Sequence, residues 1–128
     1  MKAEVTTSIE ELKRQFPDSR FSVRDDDQGG AYVIAEPVRI GGRFRPESTW
    51  IGFHIPPLYP YADIYPVFIG TDIARIDGAA FVAPVTHGAN FEGRPAIQIS
   101  RRNGTAPQGL QKAHTKILKV LDFLERMP

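Results

Sequence analysis

The stretch STWIGFHIPPLYPY, residues 48–61, decides how this chain is expected to fold. Residues 48–55 alternate between two sets of side chains, as in a β-strand, where successive side chains point to opposite faces of the sheet. One set is Trp50, Gly52 and His54, and the other is Ile51, Phe53 and Ile55. Prolines follow, and because proline has no backbone N–H to donate to a neighbouring strand, they end this strand and stiffen the next loop.

Three further segments have the β-branched and aromatic content of strands, at residues 20–23, 31–40 and 65–69. An aspartate- and glycine-rich turn joins residues 20–23 to residues 31–40, and a glycine turn joins residues 31–40 to residues 48–55. Together the four segments predict a four-stranded antiparallel meander.

A helix is predicted on each side of this meander. Thr7–Phe16 has apolar residues at helical spacing, and Ser8 and Glu11 are placed to form an N-terminal capping box. Pro17 is placed to stop that helix. From about Leu110 onward a second apolar stripe predicts a C-terminal helix that packs across the sheet.

Residues 70–93 have weak periodicity and predict a long irregular segment with a short strand at residues 80–85. A loop of this length inside a compact domain is usually functional. The pattern as a whole predicts one α+β domain spanning residues 1–128: helix, antiparallel meander, long irregular segment, helix.

Composition excludes several classes of function. The chain has 128 residues and a net charge of +1, which does not favour a nucleic-acid or an acidic-membrane surface. It has no cysteine, and its three histidines are not spaced as metal ligands on one helix face, so neither a metal site nor a cofactor is predicted. No segment has the pattern of a membrane span or a signal peptide, and a cytoplasmic protein is the default expectation.

The loop motif and the segments after it resemble the ubiquitin-conjugating enzyme (E2) superfamily, which has the UBC fold. The family has a Pro-x-x-Tyr-Pro element after its third strand, and here Pro56, Tyr59 and Pro60 match it. Residues 66–69 resemble the start of the next strand, and residues 87–90 resemble a degraded His-Pro-Asn motif. A polar loop and the C-terminal helix then follow in the family's order. Because the chain ends after this helix, it is similar to the bacterial E2-like branch, which is encoded beside E1-like and ubiquitin-like proteins, often in anti-phage operons.

This resemblance places Ala96 where the family has its nucleophilic cysteine, since residues 93–99 match the family's active-site run without a gap. A family member carries a ubiquitin-like C-terminus as a thioester, which needs a thiolate that alanine cannot supply. The resemblance also implies other roles around the site. Asn90, or backbone N–H groups near Ala96, would donate to the oxyanion, and His87 would orient the loop or act as an acid/base group. Arg101 and Arg102 would hold the modifier's tail or lower the pKa of a thiol, with Asn103 beside them in the implied catalytic group.

Partner surfaces follow from the same resemblance. Gln98 and the polar helix face with Lys112, Lys116 and Lys119 would contact the ubiquitin-like protein. Glu10, Lys13 and Arg14 on the first helix would contact an E1-like activating enzyme. A target protein or a deubiquitinase-like operon partner is a further implied contact. The plainer alternatives are that His87 and Asn90 are turn residues, that the lysines and arginines are solvated charges, and that Tyr59 and Pro60 serve packing.

Three hypotheses remain open from the sequence. In the first, the chain is an E2-like transferase in which an engineered alanine replaces the native cysteine. In the second, it is a natural E2-like module that binds or scaffolds without transfer. In the third, it is an unrelated α+β domain. Both E2-like hypotheses predict that Ala96 lies in an exposed groove before the last helix rather than inside a core strand.

Overall fold

The computed structural model describes residues 1–101 and 112–127. Within these ranges the chain forms two helices and eight strands. In chain order they are α1 (Ala3–Gln15), β1 (Arg20–Asp25), β2 (Ala31–Arg39), β3 (Phe44–Arg45), β4 (Ser48–Ile55), β5 (Val67–Gly70), β6 (Ala74–Arg75), β7 (Val85–Phe91), β8 (Arg94–Ile99) and α2 (Ala113–Arg126).

Six of the strands form one antiparallel sheet in the order β1-β2-β4-β5-β8-β7. The predicted meander is therefore confirmed as β1-β2-β4-β5, and the α+β class with a helix at each end is confirmed as well. The prediction of only four strands is wrong, because the β7–β8 hairpin continues the sheet beyond β5. Strands β3 and β6 pair separately as a small two-stranded sheet.

The segment predicted to be irregular contains the whole of β7. No strand lies at residues 80–85 as predicted; the strand starts at Val85 instead. The weak periodicity has a physical cause, because a β-bulge between Thr86 and Ala89 interrupts the alternation of side chains along β7. Gly93, with φ +80°, then allows the tight turn into β8.

One face of the sheet packs against both helices and holds the main hydrophobic core. Strand β4 contributes the predicted set Ile51, Phe53 and Ile55, which is buried there together with Ile97 and Ile99 of β8. We call this the helix face, and the opposite side of the sheet the outer face. Trp50, Gly52 and His54 lie on the outer face, as their alternation along β4 requires.

Helix α1 begins earlier than predicted. Its N-cap is Lys2, whose backbone N–H donates to the carbonyl of Gly29 in the β1–β2 turn. Ser8 is buried in the middle of the helix, and its hydroxyl donates to the carbonyl of Val5, so the predicted capping box is wrong. The additional turn forms because Val5 extends the apolar face into the core. The helix ends two residues before Pro17, as predicted.

Helix α2 carries the predicted stripe, with Ile117, Val120 and Leu124 in the core. Its predicted start near Leu110 lies outside the described residues. Within those residues, neither helix is long and apolar enough to cross a membrane.

Candidate functional site

Ala96 lies inside the sheet rather than in a groove. It pairs with Gly70 of β5 on one side and with Ala89 of β7 on the other, and its exposed fraction is 0%. Its methyl group belongs to a second buried cluster on the outer face, with Ile34, Trp50 and Phe91. The expectation of an exposed position 96 is therefore wrong. The resemblance in residues 93–99 singled out Ala96, but nothing in that segment showed that β8 has a partner strand on each side.

The tip of the β7–β8 hairpin covers this cluster. Phe91 stacks on Phe68 with ring centroids 4.8 Å apart and lies 6.4 Å from Trp50 and 6.2 Å from Tyr32. These partners belong to β5, β4 and β2, so the tip extends across the outer face toward the far edge of the sheet. We refer to residues 90–95 as the hairpin tip.

Gly52 makes this arrangement possible. A Cβ atom at residue 52 would lie 2.7 Å from the ring of Phe91 and 2.9 Å from the ring of Trp50, closer than carbon atoms pack. Glycine at this position in β4 therefore leaves the space that the Phe91 ring fills.

Replacing Gly52 by alanine is expected to lower the free energy of unfolding by about 1–3 kcal/mol, because the added methyl group overpacks the contact with Phe91. Gly42→Ala is the matched control, since a Cβ there meets no atom closer than 3.8 Å. Urea unfolding of both variants is the measurement. Equal stability of the two variants would contradict the described packing.

Two ion pairs fasten the hairpin tip to strands at the other side of the sheet. Arg24 of β1 donates from Nε and Nη2 to the two carboxylate oxygens of Glu92, at 2.7 and 3.0 Å. Arg94 donates to Glu36 of β2 at 3.3 Å. The hydrogen bond from Arg24 holds the pKa of Glu92 below its ordinary value, and the same contact raises the pKa of Arg24.

The guanidinium groups of both arginines also lie over aromatic rings. Arg24 is 4.4 Å from the ring centroid of Tyr32, and Arg94 is 5.4 Å from that of Trp50. Cation–π attraction thus adds to the ion pairs. The outer face is therefore a layer of aromatic side chains covered by the hairpin tip, which two ion pairs hold in place.

A histidine–aspartate pair lies at the edge of this layer. His54 stacks on Tyr32 at 4.5 Å, and its Nε2 is 2.7 Å from Oδ2 of Asp26. The other oxygen of Asp26 accepts hydrogen bonds from the amides of Gln28 and Gly30, both at 2.8 Å. These contacts lower the pKa of Asp26, the largest cause being the hydrogen bond with His54. Asp26 therefore fixes the β1–β2 turn against β4.

Because the folded-state pKa of Asp26 is lowered, its carboxylate stabilises the fold above the unfolded-state pKa of about 4, and this stabilisation is lost as the pH falls through the folded-state value. Asp26→Asn is therefore expected to be less stable than wild type near neutral pH, with the difference shrinking below about pH 4. Urea unfolding across this range tests it, with Asp18→Asn at an exposed position as the control. A difference of constant size across the range would contradict this role of Asp26.

His87 and Asn90 do not surround Ala96 as a catalytic site would require, and their contacts are with other residues. His87 is exposed in the bulge of β7, with its ring tilted against Phe81 at 5.5 Å. The side-chain oxygen of Asn90 accepts a hydrogen bond from the amide of Gly93 at 3.2 Å. The arrangement of Asn90 matches the plainer alternative of a turn residue.

Two further residues of the implied site lie in the described part of the chain, Arg101 of the catalytic group and Gln98 of the set expected to contact the ubiquitin-like protein. Gln98 is half-buried on β8 and donates to the hydroxyl of Ser100. Arg101 is exposed, and its guanidinium lies 4.8 Å from the ring centroid of Phe123 on α2. Arg102 and Asn103 lie outside the described residues.

The three lysines predicted to share the polar side of the last helix do not form one exposed face. Lys116 is 3% exposed, and its ammonium donates to Asp63 at 3.1 Å and to the carbonyl of Arg101 at 2.5 Å. The prediction that Lys116 lies on an exposed polar face is wrong, because the helix turns this position toward the β4–β5 loop. Lys112 and Lys119 are exposed, and Lys112 lies 3.8 Å from Glu11 of α1.

On α1 the three residues assigned to an E1-like partner, Glu10, Lys13 and Arg14, are all exposed. Glu10 and Lys13 lie within 3.8 Å of each other on adjacent turns. The face is accessible, with mixed charge.

The Pro-x-x-Tyr-Pro element connects the sheet to α2. Tyr59 is buried, its amide donates to the carbonyl of Pro56, and its hydroxyl accepts a hydrogen bond from the amide of Ala113 at 3.1 Å. Pro60 is half-buried beside it.

Two residues of this loop were not singled out from the sequence. Leu58 is 69% exposed and Tyr61 is 77% exposed, and the amide of Tyr61 donates to the carbonyl of Leu58, so both lie on one turn. Large exposed apolar side chains side by side are a typical signal of a contact surface. An apolar residue on either side of Tyr59-Pro60 was the available sequence signal.

Within residues 1–101 and 112–127, no group of three or more histidine, aspartate or glutamate side chains could hold a metal ion. Comparison with known proteins finds no match to a protein family, to a curated protein or to a solved structure. The likeness to the E2 superfamily therefore rests on the motifs and on the order of elements.

Proposed function

We propose that this chain is a non-catalytic E2-like module that binds a ubiquitin-like protein. The observation that carries the non-catalytic part is the position of Ala96, fully buried between β5 and β7 beneath the aromatic layer. A thioester carrier must present its sulfur to the incoming tail of a partner, and residue 96 presents no surface.

The chemistry of a cysteine at this position supports the same conclusion. Thiolates form where a thiol is partly exposed and near positive charge, whereas a thiol buried among apolar side chains stays protonated and inert. The side chains around residue 96 are Ile34, Trp50 and Phe91. A native cysteine there would be a packing residue, so an engineered alanine is not needed to explain the sequence.

The buried position of Ala96 contradicts the exposed groove that both E2-like hypotheses predict, so the E2-like part of the proposal is supported only by the order of elements. A helix, an antiparallel meander, a Pro-x-x-Tyr-Pro loop and a final helix follow one another as in the UBC fold, and Tyr59 joins that loop to α2. The two strands β7 and β8, which extend the meander to a six-stranded sheet, have no counterpart in that order of elements.

The surface proposed for the partner is the turn with the exposed side chains of Leu58 and Tyr61. A shallow groove beside it is lined by residues of α1 together with Tyr59, Pro60 and Lys112. Apolar anchors with a charged rim are the usual anatomy of a protein interface. In this proposal Glu10, Lys13 and Arg14 provide the neighbouring contact with an E1-like protein.

Isothermal titration with the ubiquitin-like protein encoded in the same genome tests the proposal. The double variant Leu58→Ala/Tyr61→Ala is expected to bind at least about tenfold more weakly than wild type, because two anchors are truncated. Ile76→Ala/Val82→Ala is the matched control, since both residues are exposed and apolar but lie in another loop. It is expected to bind like wild type.

Two outcomes would overturn the proposal. Absence of binding by the wild-type chain would remove the binding function. A reductant-sensitive adduct between Ala96→Cys and the ubiquitin-like protein, formed with the E1-like enzyme and ATP, would instead favour a conjugating enzyme.

A further inference from the structure

The hairpin tip is attached to the rest of the sheet differently from the strands below it. The ladder between β5 and β8 runs from Val67–Ile99 to Gly70–Ala96 and ends there. Beyond it the tip pairs only within itself, Asn90 with Pro95 and Phe91 with Arg94. In the described residues its remaining links to the sheet are side-chain contacts.

Those side-chain contacts are of two kinds. Phe91 is 6% exposed and fills the space above Gly52. The ion pairs Arg24–Glu92 and Arg94–Glu36 are at the surface, where Arg24 is 59% and Arg94 39% exposed. Exposed ion pairs are individually weak and are screened by salt.

The base of the tip has a place to bend. The bulge between Thr86 and Ala89 interrupts the β7–β8 ladder, and Gly88 within it has φ +86°, with no atom beyond its chain neighbours within 4 Å of the position a Cβ would take. Motion here would lift the tip without breaking the pairing of β8 with β5.

From these features we infer that the hairpin tip is a latch over the outer face, held shut by the two ion pairs and able to open while the rest of the sheet stays folded. Opening exposes the aromatic layer of Tyr32, Trp50 and Phe68. This inference does not depend on the proposed function.

The single tryptophan of the chain is a built-in reporter, because Trp50 lies directly beneath the tip. Acrylamide quenching of its fluorescence measures access to the outer face. Hydrogen exchange read by mass spectrometry measures the tip and β4 separately. The variant is Arg24→Gln/Arg94→Gln, which removes both ion pairs and both cation–π contacts.

The matched control is Arg39→Gln/Arg126→Gln. It changes the net charge equally, but its ion pairs join Arg39 to Glu47 and Glu125 and Arg126 to Asp122, away from the tip. Both double variants are first checked for cooperative unfolding, so that access is compared between folded proteins.

The latch variant is expected to show about 2- to 10-fold faster quenching and tip exchange than wild type, with β4 exchange unchanged. Raising NaCl from about 0.05 M to 0.5 M should produce a similar change in wild type and little change in the latch variant. Equal quenching in the latch and control variants would overturn the inference. So would a parallel rise of exchange in the tip and β4, since access would then come from global unfolding.

Discussion

Truncating Phe91 to alanine is expected to lower the free energy of unfolding by about 3–5 kcal/mol, one of the two largest effects foreseen for a single substitution. The reason is that this one ring packs on Phe68, Trp50 and Tyr32 and fills the space that Gly52 leaves open. Its loss removes the cover of the outer face as well as a buried side chain. Urea unfolding followed by circular dichroism measures the change.

A second readout separates this effect from nonspecific damage. The emission of Trp50 should shift to the red in folded Phe91→Ala, because the indole becomes hydrated. Leu58→Ala is the control, an apolar truncation at an exposed site that is expected to change stability by no more than about 0.5 kcal/mol. A Phe91→Ala protein as stable as this control would show that the hairpin tip does not pack as described.

Lys116→Met is expected to lower the free energy of unfolding by about 3 kcal/mol, because it removes the buried ammonium that forms an ion pair with Asp63. The methionine keeps most of the apolar stem, so the change is mainly one of charge. The substitution also removes the donor to the carbonyl of Arg101, which links α2 to the end of β8. Chemical denaturation is again the measurement.

Lys119→Met provides the matched comparison, because Lys119 is exposed on the same helix one turn away. It is expected to remain within about 0.5 kcal/mol of wild type. Equal stability of the two variants would contradict the burial of Lys116 and would favour a solvated lysine at this position.

The sequence was sufficient for the elements with strong local signals. The alternation along β4 assigned its two faces correctly, because a period of two leaves no other way to bury Ile51, Phe53 and Ile55 together. Pro17 likewise ended α1 near where it does end. These are features in which one short segment determines its own structure.

Features that depend on a distant partner were not predictable in this way. Lys116 has helical spacing typical of a solvated face, and its burial depends on Asp63, more than fifty residues earlier in the chain. Ser8 matched a capping box, but the N-terminal residues continue the helix because Lys2 bonds to the β1–β2 turn. In both cases tertiary contacts override a local preference.

The candidate site shows the same limit more sharply. Residues 93–99 resemble the E2 active-site run, but they form an interior strand here because β7 folds back to pair with them. The bulge at Thr86–Ala89 hides β7 from a search for alternation. The path of the tip across the sheet is set by Phe91 and two ion pairs with β1 and β2, none of which has a local pattern.

The most direct test of the account is the reactivity of a cysteine placed at residue 96. Because the chain has no cysteine of its own, Ala96→Cys gives a single thiol whose reaction with Ellman's reagent can be followed without background. Ala80→Cys is the matched control at an exposed position. The described burial predicts that the thiol at residue 96 reacts at least about 100-fold more slowly than the control in the native state and equally fast in urea. Equal native rates in a folded Ala96→Cys protein would contradict the sealed position on which the non-catalytic proposal rests.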